Sequence, residues 1–129
     1  MAIRVVRLGS PRQPGEGLRV GTVRRPPRGV PKSEYASRGI YDVWLPILSP
    51  SEELLKKSQP AGDEKAWTSF QRHFRAEMKA PEPSRVLDLL AALSRQTDFS
   101  IGCYCAEESR CHRSILRELL RRRGAQLIE

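Results

Sequence analysis

The chain has 129 residues, a length that suits one domain around one hydrophobic core. Apolar residues make up 39% and charged residues 29%, and no apolar run approaches the roughly 20 residues that cross a bilayer, so a membrane span is excluded and a soluble globular protein is expected. The formal net charge of +8 favours anionic partners such as nucleic acid, nucleotides or phosphorylated metabolites, although a basic surface that only aids solubility reads the same way.

The opening residues, Met1 to Leu8, carry no signal-peptide core, so the cytoplasm is the expected compartment. Ile3 to Leu8 mixes β-branched and basic residues as a half-buried strand does, and residues 9–17 follow as a Gly/Pro turn region. Leu18 to Val23 is a second strand. Arg24 to Lys32 is a loop, because Pro26, Pro27 and Pro31 oppose regular structure and Gly29 loosens it. From Arg4 to Lys32 there are eight basic residues and one acid, Glu16. Ile40 to Leu48 holds a third short strand, limited by Pro46.

Ser49-Pro50-Ser51-Glu52 predicts a helix start: Ser49 caps, Pro50 takes the first helical position, and Glu52 completes a capping box. That helix is expected to end near Ser58-Gln59-Pro60. Asp63 caps the next, whose Trp67, Phe70, Phe74 and Met78 form one apolar stripe read as core. Pro81 and Pro83 end it, and Ser84 caps a third helix with Val86, Leu87, Leu90 and Leu93 inward. Thr97-Asp98 turns the chain into a strand whose Phe99, Ile101, Cys103 and Cys105 share one face. A polar loop then leads to a helix at about 111–123, with Ile115, Leu116, Leu119 and Leu120 apolar. Gly124 precedes a last short strand, Ala125 to Ile128.

This order predicts a single α/β domain over residues 1–129, with a mainly parallel sheet flanked by helices in three layers and joined by right-handed crossovers. Ligands of open α/β sheets bind beyond the carboxyl ends of the strands. The loop from Cys105 to Arg113 is expected there. It lies in a segment holding all three cysteines and one of the two histidines. An odd cysteine count without a disulfide framework predicts reduced thiols.

Several separated segments together resemble the domain of unknown function family 488, which includes the YeaO-like proteins. They are the first strand, Thr22 to Gly29, Trp44 with Leu48-Ser49-Pro50-Ser51, Phe70 to Met78, and Cys105 through Leu120. The family pattern near the end is an apolar strand, Cys-x-Glu, a short loop and Cys-His-Arg. Cys105-Ala106-Glu107 and Cys111-His112-Arg113 match it, with Glu107 at the acid and Cys103 extra. A second register starts at Cys103 and puts Cys105 where the acid belongs. Arg24 and Arg28 match arginines of the family's other basic loop, and Pro27 and Gly29 its proline and glycine. Val23 and Pro26 replace an acid and a tryptophan common there. The resemblance implies an α/β fold and brings no reaction with it.

Three chemistries suit the loop. In one, Cys111 is a nucleophilic or redox thiol, because a helix start, His112 and Arg113 all favour thiolate. His112 then serves as acid/base; a core-facing imidazole bonded to a carbonyl is the alternative. A cysteine-phosphatase loop is disfavoured: Arg117 has that spacing from Cys111, but the residues between them contain no glycine and read as helix. In the second, Cys103, Cys105, Cys111 and His112 offer the donors zinc takes, hindered by the divergence of adjacent Cys111 and His112 on a helix. A disulfide from Cys103 or Cys105 to Cys111 is the redox variant. In the third, Arg113 with the loop arginines Arg24, Arg25 and Arg28 clamps a phosphate or carboxylate; alternatively Arg113 pairs with Glu107 or Glu108 and only fixes the loop. His73 is expected at the surface, and the arginines of the last helix are an exposed face or a nucleic-acid contact.

The leading expectation is a small cytoplasmic protein binding an anionic ligand, phosphate-bearing or nucleic acid, at the Cys-His-Arg loop. Cys105 and Glu107 support the site, and no cofactor is required. The alternative is an enzyme with Cys111 as nucleophile or redox thiol and His112 as acid/base.

Overall fold

Alternating apolar side chains in three of the strands dictate which face of the sheet is buried under helices. The computed structural model describes residues 1–57 and 62–129. Strands β1 (Ile3–Arg7), β2 (Leu18–Gly21), β3 (Val43–Trp44) and β4 (Phe99–Cys103) form one parallel sheet in the order β1-β4-β2-β3. The last apolar stretch adds a single parallel bridge, Leu127 to Ile3, at the β1 edge. Helices α1 (Glu52–Lys57), α2 (Glu64–Met78), α3 (Pro81–Leu93) and α4 (His112–Arg122) complete an α/β domain. Among the described residues no helix is long and apolar enough to cross a membrane.

Ile3, Val20, Phe99 and Ile101 pack with Phe70, Phe74, Leu87, Ile115, Leu116 and Leu120 in the main core. Every residue of β4 is buried, as befits the strand paired on both sides. The other face of the sheet is covered by loops rather than helices. Tyr41 lies over Gly21 and Leu8 over Gly102, positions where a Cβ would collide with those side chains. The three layers are thus helix, sheet and loop.

That loop layer is anchored by a buried ion pair. Glu16 and Arg19, which the sequence shows only as members of the basic stretch from Arg4 to Lys32, are 2% and 0% exposed. The Arg19 Nε and Nη2 groups donate to the two Glu16 oxygens at 2.8 and 3.0 Å, and Nη1 donates to the carbonyls of Ser10 and Gly39. Ser100 Oγ and the Gln13 amide also donate to Glu16. Burial by itself raises the Glu16 pKa, but these hydrogen bonds and the Arg19 charge more than reverse it and bring it down to about 2.

Gly17 sits in this layer at φ +77°, and a Cβ there would lie 2.0 Å from the Asp98 carbonyl oxygen. Gly17→Ala is expected to cost about 2–4 kcal/mol, from left-handed strain plus a backbone clash. Urea unfolding at neutral pH checks this, and an unchanged midpoint would refute the turn's role.

The helix boundaries correct several expectations. Ser51, not Ser49, caps α1: its Oγ accepts from the Leu54 amide at 3.1 Å, while Ser49 Oγ donates to the Pro46 carbonyl. The second half of the cap comes from α2, where Glu77 Oε1 accepts from the Ser51 amide at 2.9 Å and Oε2 accepts from the Ser51 hydroxyl. A tertiary contact therefore does what Glu52 was expected to do. The expected end of α1 at Ser58-Gln59-Pro60 lies outside the described residues. Asp63 caps α2 through the Ala66 amide at 2.8 Å. Pro81 begins α3 instead of separating it from α2, because a proline suits the first helical turn; Ser84 is interior and accepts from Arg123. Leu93 is partly exposed instead of inward.

Candidate functional site

Thr22 to Arg28 leave the end of β2, and Cys103 to Cys105 leave the end of β4. The two adjacent carboxyl ends therefore release both chemistry-bearing segments on the same side. Between them is a cavity of about 520 Å³, within the range for small-molecule sites. Val23, Pro50, Phe70, Cys103, Cys111 and His112 are its buried lining residues. Arg25, Pro26 and Arg28 are exposed at its rim, with Arg24 and Tyr104 half-buried beside them.

Cys111 occupies the cap position of α4, with extended backbone and its amide donating to the Glu108 carbonyl. His112 is the first helical residue. Its Nε2 lies 2.6 Å from the Thr22 carbonyl oxygen, which only accepts, so Nε2 carries a proton. That contact turns Nδ1 toward Cys111 Sγ at 3.6 Å. Phe74 packs edge-on against the imidazole at 5.5 Å between ring centres. One nitrogen of His112 thus bonds a carbonyl, as the core-facing alternative expects, and the other meets the thiol.

Cys103 Sγ lies 3.7 Å from Cys105 Sγ, and all three thiols are free. Cys103 and Cys105 donate toward Cys111, which pulls the Cys111 pKa well below the usual thiol range despite burial, with His112 helping. The donors shift upward in return: Cys103 through its bonds to Cys105 and Cys111, and Cys105 because Cys111 and burial outweigh the bond it accepts from Cys103. Cys103, Cys111 and His112 also present ligand atoms within 4.8 Å of one another, a grouping that could hold a metal ion.

Arg113 behaves differently from an anion clamp in a cavity wall. It is 3% exposed, and it does not line the cavity. Nη1 donates to the Val6 carbonyl at 2.6 Å and Nη2 to the Cys105 carbonyl at 2.8 Å, tying the end of β1 to the cysteine loop. It pairs with neither Glu107 nor Glu108. Glu108 is bound by Arg117 at 2.7 Å, which also takes Arg117 away from any phosphatase-like role. Glu107 is exposed, accepts from Ser109 Oγ and lies outside the cavity. Cys105 is exposed and lines it.

Much of the basic charge is engaged within the fold. Arg24 donates to the carbonyls of Pro50 and Ser49, Arg25 pairs with Glu52, and Arg12 with Asp42. On α4 and just beyond it, Arg121 pairs with Glu129, Arg122 with Glu118 and Arg123 with Asp88. His73 is exposed on α2, as expected.

Arg25 lines the cavity as one of the loop arginines expected there, whereas Thr22 and Tyr104 belong to the site without being expected as site residues. Thr22 contributes a backbone carbonyl, which no side-chain pattern announces. Tyr104 lies between Cys103 and Cys105, so only its neighbourhood is legible in the sequence.

The segments Thr22–Gly29, Ser49–Ser51, Phe70–Met78 and Cys105–Leu120 all contribute to this cavity or its immediate support. Residues 3–124 match the family described as the active DUF488-N3 subclade. The chain matches no curated protein and no solved structure. A match over nearly the whole chain, together with the convergence of these segments on one cavity, places the protein in the DUF488 family, in its active DUF488-N3 subclade.

Proposed function

We propose that this protein is a cysteine-dependent enzyme acting on a small electrophilic substrate that carries an anionic group. The observation that carries this reading is the contact of Cys111 Sγ with His112 Nδ1 at 3.6 Å, with the opposite nitrogen held by the Thr22 carbonyl. A nucleophile, a base and a group that orients the base are the parts of an activated thiol. The helix N-terminus at Cys111 adds a favourable field for the developing thiolate. In the reaction, the Cys111 proton passes to Nδ1 as Sγ forms a bond to the electrophilic centre, the bond from that centre to the leaving group breaks, the leaving group takes the proton from Nδ1, and water then displaces Sγ from the adduct to restore the thiol.

The cavity's apolar floor suits the substrate body, and Arg24, Arg25 and Arg28 at or near the rim suit a phosphate or carboxylate. Its size favours a phosphate-bearing small molecule over a nucleic-acid strand. The description of the matching subclade as active agrees with an enzyme. Free thiols call for a reducing compartment, which keeps the cytoplasm as the place of work in this reading.

The test is site-resolved alkylation of the reduced, metal-free protein at neutral pH, comparing neutral iodoacetamide with anionic iodoacetate. Cys111 should react faster than exposed Cys105. Its preference for iodoacetate over iodoacetamide should exceed that of a free thiol by about 10-fold, the order expected when arginines focus an anion. Cys111→Ser should abolish labelling at that position and turnover of any substrate found. A Cys111 slower than Cys105 with both reagents would refute the nucleophile.

A further inference from the structure

We propose that Cys103, Cys105, Cys111 and His112 form a binding site for a soft divalent cation, zinc by its donor set, and that the cation masks the Cys111 sulfur. The argument is geometric. Zinc bonds run about 2.3 Å to sulfur and about 2.0–2.1 Å to imidazole nitrogen, so a tetrahedral centre separates two sulfurs by about 3.8 Å and a sulfur and a nitrogen by about 3.6 Å. Cys103 and Cys105 Sγ are 3.7 Å apart, and Cys111 Sγ and His112 Nδ1 are 3.6 Å apart. Two opposite edges of the tetrahedron are already at the length a zinc ion needs. Cys103, Cys111 and His112 are buried and mutually within 4.8 Å, so they contract by about an ångström onto a metal at 2.0–2.3 Å. Cys105 Sγ adjoins Cys103 but stands outside the grouping of the other three, so it would have to move in from the solvent side to take the fourth position.

Two further features point the same way. The Thr22 carbonyl accepts from His112 Nε2, the outer bond that orients a metal-bound imidazole and leaves Nδ1 as the donor. Arg113 is buried without a carboxylate partner among the described residues, and its Nε has no hydrogen-bond acceptor. Three thiolates, one neutral imidazole and a dication sum to −1, which offsets that charge where Arg113 already bonds the Cys105 carbonyl. Adjacent side chains at a helix start diverge in an ideal helix, but here Cys111 is the cap, with φ −127° and ψ 152°, and that extended backbone lets its sulfur meet the imidazole.

The metal site stands independently of the enzymatic reading; only the consequence, silencing of the nucleophile, rests on it. The experiment titrates Zn²⁺ alone into the reduced, metal-free full chain by calorimetry, with Co²⁺ as a spectroscopic stand-in that reports thiolate ligation. One equivalent should bind with a cobalt–thiolate charge-transfer band. Cys103→Ser and Cys111→Ser should each weaken binding by about 100-fold or more, and Cys105→Ser by about 10-fold, as expected for buried and exposed ligands. Circular dichroism of each metal-free variant separates ligand loss from misfolding, and the exposed Cys105→Ser supplies a variant without a buried change. One equivalent of Zn²⁺ should also stop iodoacetamide from labelling Cys111. Sub-stoichiometric binding by the native chain, or zinc that binds yet leaves unchanged the labelling of a Cys111 that reacts in the metal-free chain, overturns the proposal. A chain that binds zinc but whose metal-free Cys111 is unreactive keeps the site and refutes only the enzyme.

Discussion

Glu16→Gln is expected to lower the unfolding free energy by about 3–5 kcal/mol, the cost typical of removing one partner of a buried ion pair. The amide keeps the size of the carboxylate but not its charge. Arg19, fully buried, would then keep only carbonyl acceptors for a charge it cannot lose. Ser100 and Gln13 would also lose a charged acceptor. The acid limb of the stability profile carries the same information. With a folded pKa of about 2 against an ordinary value of 4.5, the folded carboxyl binds its proton more weakly than the unfolded one. Its contribution, about 3 kcal/mol, is complete above about pH 5 and drains away as pH falls toward 2. Urea unfolding at neutral pH and at a series of acid values measures both effects. Glu16→Gln should flatten the acid limb as well as lower the plateau. A variant within about 1 kcal/mol of the native chain would mean that the pair does not hold the loop layer.

Arg113→Ala is expected to be the second most damaging change, at about 3 kcal/mol or more, since each hydrogen bond from a charged donor contributes about 1.5–3 kcal/mol. It removes the donors to the Val6 and Cys105 carbonyls and leaves a void beneath the cysteine loop. Arg113→Lys should recover part of the loss, because one ammonium cannot span both carbonyls as the fork does. Thermal or urea unfolding gives the stability change, and Cys111 alkylation tests the position of the loop. If stability is untouched while phosphate or iodoacetate discrimination collapses, Arg113 faces ligand and not the backbone, and the structural assignment is wrong. Either result bears on how Cys111 is presented, because Arg113, in the first turn of α4 next to the Cys111 cap, holds the Cys105 carbonyl of the loop that leads to it.

How far the sequence reaches varies by element. Strand β4 and helix α4 are plain in their residues, because an apolar five-residue run and a three-to-four-residue apolar stripe each bury one way. The α2 stripe of Trp67, Phe70, Phe74 and Met78 is equally plain, and all four are buried. Caps were less legible. Ser51 resembles Ser49 in sequence, and what separates them is Glu77, twenty-six residues away. The loop layer was not legible at all. Glu16 and Arg19 look like any surface pair three residues apart, and only the pairing of β2 with β4 brings Ser100 against them and closes them from water.

By itself the sequence determined the α/β class, the parallel core and the cysteine-bearing segment that lines the cavity, because periodic apolar residues and clustered cysteines are local signals. The tertiary structure decided which atoms of that segment meet. It brought the Thr22 carbonyl to His112, turned Nδ1 toward Cys111, drew Arg113 onto two backbone carbonyls and left Glu107 outside the cavity. Those outcomes depend on strands that are neighbours in the sheet but lie about eighty residues apart in the chain, and hydrogen bonds across such distances leave no periodic trace.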